Sequence, residues 1–168
     1  MQIQVLMFYQ DDPSKCTAAK LVKFGLAKQF KKNFANNTRN MILDPFANDF
    51  VLNSDKELTD SITGIDCSWE RAQEMFVKKF AGLARKLPPL LAGNPVNYSK
   101  IGKLTTAEAI AGALYIMGFD DLAASILNKF KWGHTFYELN QDLIKDYSQA
   151  KSNQDIIRIS NEYQLNVI

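Results

Sequence analysis

The sequence predicts an α/β fold with a largely parallel sheet and an all-helical carboxyl end. Short runs rich in Ile, Val, Leu and Phe alternate with segments of helical periodicity through the first two-thirds of the chain. The last third carries helical patterning alone. With 46% hydrophobic and 23% charged residues among 168, the chain has the composition of a globular protein long enough to bury a core.

The elements follow in order. IQVLMFY, from Ile3 to Tyr9, reads as the first strand. DDPS is a turn, and Ser14 is placed to cap a helix whose Leu21, Val22, Phe24 and Leu26 lie among lysines, apolar inward and basic outward. NMILDP reads as a short strand stopped by Pro45, and SDKEL as a brief helix capped by Ser54. The isoleucines of SITGIDCS mark another strand, after which Trp69, Ala72, Phe76 and Phe80 recur at helical spacing. KLPPLLAG reads as a buried strand in which Pro88 and Pro89 force an edge or an irregular start. Thr105 and Glu108 form a T-x-x-E capping box opening a helix that runs through Met117 and ends near Gly118. Three more helices are expected over roughly 120–130, 135–149 and 153–163. A boundary near Asp60 divides the chain into residues 1–60, an amino-terminal α/β extension, and 61–168.

Charge is unevenly spread. The net charge is only +2, yet Lys15, Lys20, Lys23, Lys28, Lys31, Lys32 and Arg39 fall in one stretch without an acidic residue. Such a segment is either a solvated helix face or a surface that meets an anionic partner. Phe24, Phe30 and Phe34, interleaved with these lysines, fit a core better than base-stacking platforms, although the pattern also suits an RNA backbone. Cys16 and Cys67 are far apart and read as reduced thiols of an intracellular protein. One histidine and no cysteine cluster argue against a zinc site, and no run approaches a membrane span. No dinucleotide fingerprint, P-loop or nucleophile elbow is present, so the common enzyme classes fail early.

Three stretches can carry chemistry. In GIDCSWE, Asp66 ends a predicted strand, where open α/β sheets bind ligands, and Trp69 can lie over a bound group; equally, Asp66 is a cap and Trp69 core. After LLAG, the polar Asn94, Pro95, Asn97 and Tyr98 lead into a capped helix bearing Thr106. That helix start is either a seat for a carboxylate or phosphate or simply well capped. In DDPSKCTAAK, Thr17 lies in a first helical turn beside Lys15 and Lys20. Thr17 and Thr106 are thus two hydroxyls at two helix starts, and spacing does not show whether they meet.

DDPSKCTAAKLVKFGLA, LDPFA, GIDCSWE, LPPLLAGNPVNYSKIGKLTTAEAIAGALYIMG and ILNKFKWGHTFYELN together resemble the small-subunit rRNA aminocarboxypropyltransferases of archaea and eukaryotes, in order and over nearly the whole chain. The resemblance implies a fold similar to the SPOUT class of RNA methyltransferases, with a trefoil-knotted carboxyl-terminal part in 61–168 and a basic, RNA-facing extension in 1–60. It implies S-adenosylmethionine as co-substrate and no metal. The reaction would pass the 3-amino-3-carboxypropyl group to N3 of an N1-methylpseudouridine in small-subunit rRNA, releasing methylthioadenosine. Carried over by position, Ile65, Leu87 and Gly102 correspond to main-chain contacts to ribose and adenine, and Thr17 and Thr106 to contacts for the methionine carboxylate. Trp69 corresponds to the ring against the methyl group, and Asp66 to the acidic residue beside the transferable group, the candidate base. RNA contacts are expected on Lys20, Lys23, Lys28, Lys31 and Lys32. A cytoplasmic monomer acting on rRNA or a pre-ribosomal subunit, with no membrane partner, completes the expectation. The rivals are a methyltransferase of similar fold and a non-catalytic assembly factor. Ser14 and Ser99 depart from the family pattern, which commonly has a basic residue and a glycine there.

Overall fold

Among the described residues, the expected alternation produces one five-stranded parallel sheet. The structure, a computed structural model, describes residues 1–9, 12, 14–30, 38–67 and 81–165; Trp69 and the helix expected around it, and Lys31 and Lys32, lie outside the described residues. Strands β1 (Gln2–Met7), β2 (Lys28–Gln29), β3 (Asn40–Leu43), β4 (Ser61–Asp66) and β5 (Leu83–Arg85) are ordered β2-β1-β4-β3-β5, and each pairing is parallel. Helices α1 (Thr17–Lys23), α2 (Thr106–Ile116), α3 (Asp120–Leu127), α4 (Gly133–Gln149) and α5 (Asn153–Glu162) supply the rest of the described framework.

β4 lies at the centre, register-matched to β1 from Gln2↔Ser61 to Met7↔Asp66. Its alternate residues face opposite sides. Ser61 and Thr63 hydrogen-bond the buried Asn40 on one side, while Ile62 and Gly64 face the helices on the other. Ile3, Val5, Met41 and Ile62 pack with Ala18 and Leu21 of α1 and Ile110 and Leu114 of α2 in one hydrophobic core. The division expected at Asp60 does not break this sheet, since β1–β3 precede it and β4 and β5 follow it.

α2 is buried almost all round because β4, α1, α3 and α4 all pack on it, which accounts for its apolar sequence. It ends as expected: Gly118, at φ +84°, turns the chain, and Phe119 N–H donates to Leu114 O at 2.8 Å.

Several local expectations are corrected. The cap of α1 is Cys16, not Ser14; Cys16 Sγ accepts from Ala19 N–H at 3.2 Å, while Ser14 is used in a turn closed by Asp12 Oδ1. SDKEL forms one 3-10 turn, Asn53–Glu57, fixed by Asp55 rather than Ser54: the buried Asp55 carboxylate accepts from Leu52 N–H at 2.9 Å and pairs with Arg85. KLPPLLAG is not a strand. β5 ends at Arg85, because Pro88 and Pro89 offer no N–H for a ladder. The two-residue β2 escapes sequence patterning because both its residues are exposed. α4 begins at Gly133, two residues before the expected start, where a Cβ would stand 1.9 Å from Leu127 O.

Candidate active site

The carboxyl ends of β1 and β4 lie side by side, with Phe8 N–H donating to Asp66 O at 3.2 Å. Ligands of open parallel sheets bind at such ends. Two helices begin just there, and their approach depends on Gly64. A Cβ at Gly64 would come within 2.8 Å of Thr106 Cγ2 and 2.9 Å of Ile110 Cδ1, so only glycine lets the start of α2 lie on β4.

Asp66, two residues on and on the same face, is consequently held between both helix starts. Thr106 Oγ1 donates to Asp66 Oδ1 at 3.2 Å, and the Cys16 thiol donates to Asp66 Oδ2 at 3.0 Å. Burial pushes the Cys16 thiol up to about 11, and the bond to Asp66 acts in the same direction. The starts of α1 and α2 do meet, but the Thr17 and Thr106 hydroxyls take different partners, the Ala107 amide and Asp66. Thr17 Oγ1 accepts from Ala107 N–H at 3.2 Å, and Thr105 Oγ1 accepts from Glu108 N–H at 3.3 Å. Two first-turn amides of α2 are therefore already engaged, which leaves side-chain hydroxyls rather than a row of bare N–H groups for a ligand.

The polar stretch after Leu90 is a lobe whose base is pinned by buried side chains. Leu91 bridges Ile101 antiparallel, Ser99 N–H donates to Ala92 O at 2.7 Å, and Gly102 N–H donates to Leu90 O at 2.9 Å. Ser99 (φ 62°) and Gly102 (φ 71°) adopt the left-handed conformation, which glycine takes without strain and serine does not. Tyr147 donates to Pro89 O at 3.2 Å. Asn140 accepts from Leu91 N–H and donates to Leu91 O, both at 2.8 Å. Glu108 accepts from the amides of Gly93 (2.7 Å), Asn94 (2.9 Å) and Thr105 (2.7 Å) and from Asn94 Nδ2 (2.9 Å). Sequence reasoning saw Glu108 only as half of a capping box and missed Asn140, Tyr147, Gly64 and Cys16. A polar residue inside an otherwise apolar helical stripe is the signal that marks Asn140.

Of the expected site residues, Thr106 bonds Asp66 directly, and Thr17 reaches the amide of Ala107, the residue after Thr106. Ile65 adjoins Asp66 in the chain, its side chain facing Leu6 and Ile42 on the other side of the sheet. Leu87 packs near α2, where a Cβ on Gly112 would lie 3.8 Å from its Cδ2, and Gly102 closes the lobe. Lys23 and Lys28 are exposed and Lys20 half-buried. Lys129 lies 5.5 Å from the Phe24 ring, so the α3–α4 connection adds a cation beside α1. Among the described residues, no three His, Cys, Asp or Glu gather as a metal site, and no helix is long and apolar enough to cross a membrane.

Residues 41–164 match the family model described as ribosome biogenesis protein, C-terminal. A 16S rRNA aminocarboxypropyltransferase of Methanococcoides burtonii is 43% identical over 92% of this chain and 90% of its own length. This chain belongs to that family. The Sulfurisphaera tokodaii member is 39% identical, covering 96% of this chain and 95% of its own. The solved structure of the SAM-dependent rRNA:acp-transferase Tsr3 from Vulcanisaeta distributa superposes with a TM-score of 0.86 at 35% identity, over 98% of this chain and 90% of that one. The family expectation drawn from the motifs is thereby borne out, as is the α/β class with its parallel sheet. Residues 1–32 also match a model described as a possible Fer4-like domain in RNase L inhibitor. Cys16 is the one cysteine in that stretch, so those residues do not furnish the four thiolates of an iron–sulfur cluster.

Proposed function

We propose that this protein transfers the 3-amino-3-carboxypropyl group of S-adenosylmethionine to N3 of N1-methylpseudouridine in small-subunit rRNA. The relatives named for aminocarboxypropyl transfer to 16S rRNA, and the SAM-dependent structure neighbour, support the reaction class. The observation that carries the site is the Asp66 carboxylate held between Cys16 and Thr106 at the carboxyl end of the central strand. Hydroxyls at two helix starts beside a carboxylate at a strand end supply the donors and acceptors that an amino-acid moiety calls for, from Thr17, Thr106 and Asp66.

S-adenosylmethionine brings a sulfonium that activates three carbons, so placement decides which one reacts. Thr17, Thr106 and Asp66 orient the methionyl arm; Ile65, Leu87 and Gly102 offer main-chain contacts to ribose and adenine. Trp69, outside the described residues, is assigned to cover the methyl group. The N3–C bond forms as the C–S bond breaks, methylthioadenosine leaves, and the N3 proton passes to a base, for which Asp66 is the candidate. Each Asp66 oxygen keeps a lone pair beyond the bond it already accepts. No step requires a metal.

We further assign the RNA to the basic face of 1–60, at Lys20, Lys23 and Lys28 with Lys31 and Lys32. The co-substrate is assigned mainly to 61–168, in a SPOUT-like, trefoil-knotted arrangement of that part, with Thr17 reaching its methionyl arm from 1–60. The protein acts as a cytoplasmic monomer in ribosome assembly.

The test uses S-adenosylmethionine labelled in the carboxyl carbon or the methyl group, with small-subunit rRNA already carrying N1-methylpseudouridine. Carboxyl label in the RNA supports the reading. Methyl label alone in the RNA replaces it with a methyltransferase, and absence of both labels with a bound assembly factor.

A further inference from the structure

We propose that Cys16 is a positioning residue for the reaction: its thiol, donating to Asp66 Oδ2, orients the carboxylate that serves the reacting end of the co-substrate. This rests on the functional reading of Asp66 given above.

Helix capping alone does not account for a cysteine here. Ser, Thr, Asp and Asn are the strong N-caps, and a thiol sulfur is a weak acceptor. Cys16 Sγ does accept from Ala19 N–H at 3.2 Å, but it also bonds across 50 residues of sequence to Asp66 at 3.0 Å. The second bond reaches the carboxylate at the mouth of β4. On the other oxygen of that carboxylate sits Thr106, at 3.2 Å. Two donors from two different helices define the plane of the carboxylate, since rotating it would break both bonds. The thiol is suited to donating steadily. It is half-buried and keeps its proton, which also removes it as a nucleophile. Cys67, the other cysteine, follows Asp66 directly in the chain.

A double-mutant cycle separates positioning from capping. Cys16→Ala in the wild-type background is expected to lower kcat by about tenfold with KM for S-adenosylmethionine changed by less than about threefold. In an Asp66→Asn background it is expected to change kcat by less than about twofold, because the group it positions is gone. Cys16→Ser, which keeps both acceptor and donor, restores kcat. An equal loss in both backgrounds, or no loss in the wild type, overturns the proposal and leaves Cys16 a cap. A second readout needs no activity: iodoacetamide labelling of Cys16 at mildly alkaline pH, resolved from Cys67 by peptide mass. Asp66→Asn is expected to speed labelling of Cys16 by about tenfold, since the neighbouring negative charge that disfavours the thiolate is removed. Equal rates overturn the proposal. A wild-type protein without aminocarboxypropyl transfer would refute the functional reading, and labelling would still decide the Cys16–Asp66 link.

Discussion

The Thr17 hydroxyl accepts a hydrogen bond from the Ala107 amide at 3.2 Å, across 90 residues of sequence. Both residues are buried, so this bond locks the start of α1 to the start of α2. Thr17→Val keeps the shape and strands the amide, and is expected to cost about 1–3 kcal/mol. For a chain of this size that lowers Tm by roughly 3–10 °C, read by calorimetry. Thr17→Ser should restore it; an unchanged melting temperature in Thr17→Val would show that the bond contributes nothing.

Glu108 gathers four donors, so its replacement by Gln should be severe despite equal size. A glutamine side chain has one acceptor oxygen, and its NH2 would face either the Gly93 and Asn94 amides or Asn94 Nδ2 and the Thr105 amide. A loss of about 2–4 kcal/mol is expected. Amide exchange should accelerate over 93–102 well beyond its change in α4, and uniform acceleration would refute Glu108 as the anchor of the lobe.

Asn140 and Tyr147 stand in for a strand beside the proline-interrupted segment. Asn140→Leu would leave both polar groups of Leu91 unpaired at about 2–4 kcal/mol, whereas Tyr147→Phe, losing Pro89 O and Ser160, should cost nearer 1 kcal/mol. Urea unfolding with an unchanged slope orders the two; the reverse order contradicts this account.

Alkaline stability should carry a Cys16 component. The folded thiol titrates at about 11 against an ordinary 9.0, so between these values the unfolded chain has lost a proton that the native state keeps. Fewer protons bound in the unfolded state means that stability falls as pH rises through that window, and is fully present below it. Burial raises Tyr115, to about 12, and Tyr147 too, so the wild-type curve alone is not diagnostic. The melting temperature of wild type should fall relative to that of Cys16→Ser as pH climbs from 9.0 to about 11. Parallel curves would remove Cys16 from the alkaline transition.

If the basic face of the amino-terminal part guides RNA, affinity must fall steeply with salt. Replacing the exposed Lys23 and Lys28 by Ala should reduce the slope of log K against log salt by about 0.7 per lost phosphate contact on single-stranded RNA. Filter binding across a salt series measures it, and an unaltered slope would move the interface elsewhere, with Lys129 beside Phe24 the next position to test.

Much of this was readable beforehand. Apolar runs marked β1, β3 and β4, and period-3.6 patterning marked the last three helices, because each commits apolar surface to the core. T-x-x-E located the start of α2 to the residue, since capping is a local bond. Motif order pointed to the family. Sequence alone set which residues prefer strand or helix, the apolar all-round character of α2, and the presence of Asp66, Thr17 and Thr106 at element ends. Tertiary structure decided the rest. Cys16 replaced Ser14 as cap because Asp66 waits on its other side, KLPPLLAG was held by Tyr147, Asn140 and Glu108 instead of a ladder, and Gly64 let two helix starts close on one carboxylate. These are bonds between groups tens of residues apart, and their geometry exists only once the parallel sheet has brought the strand ends together.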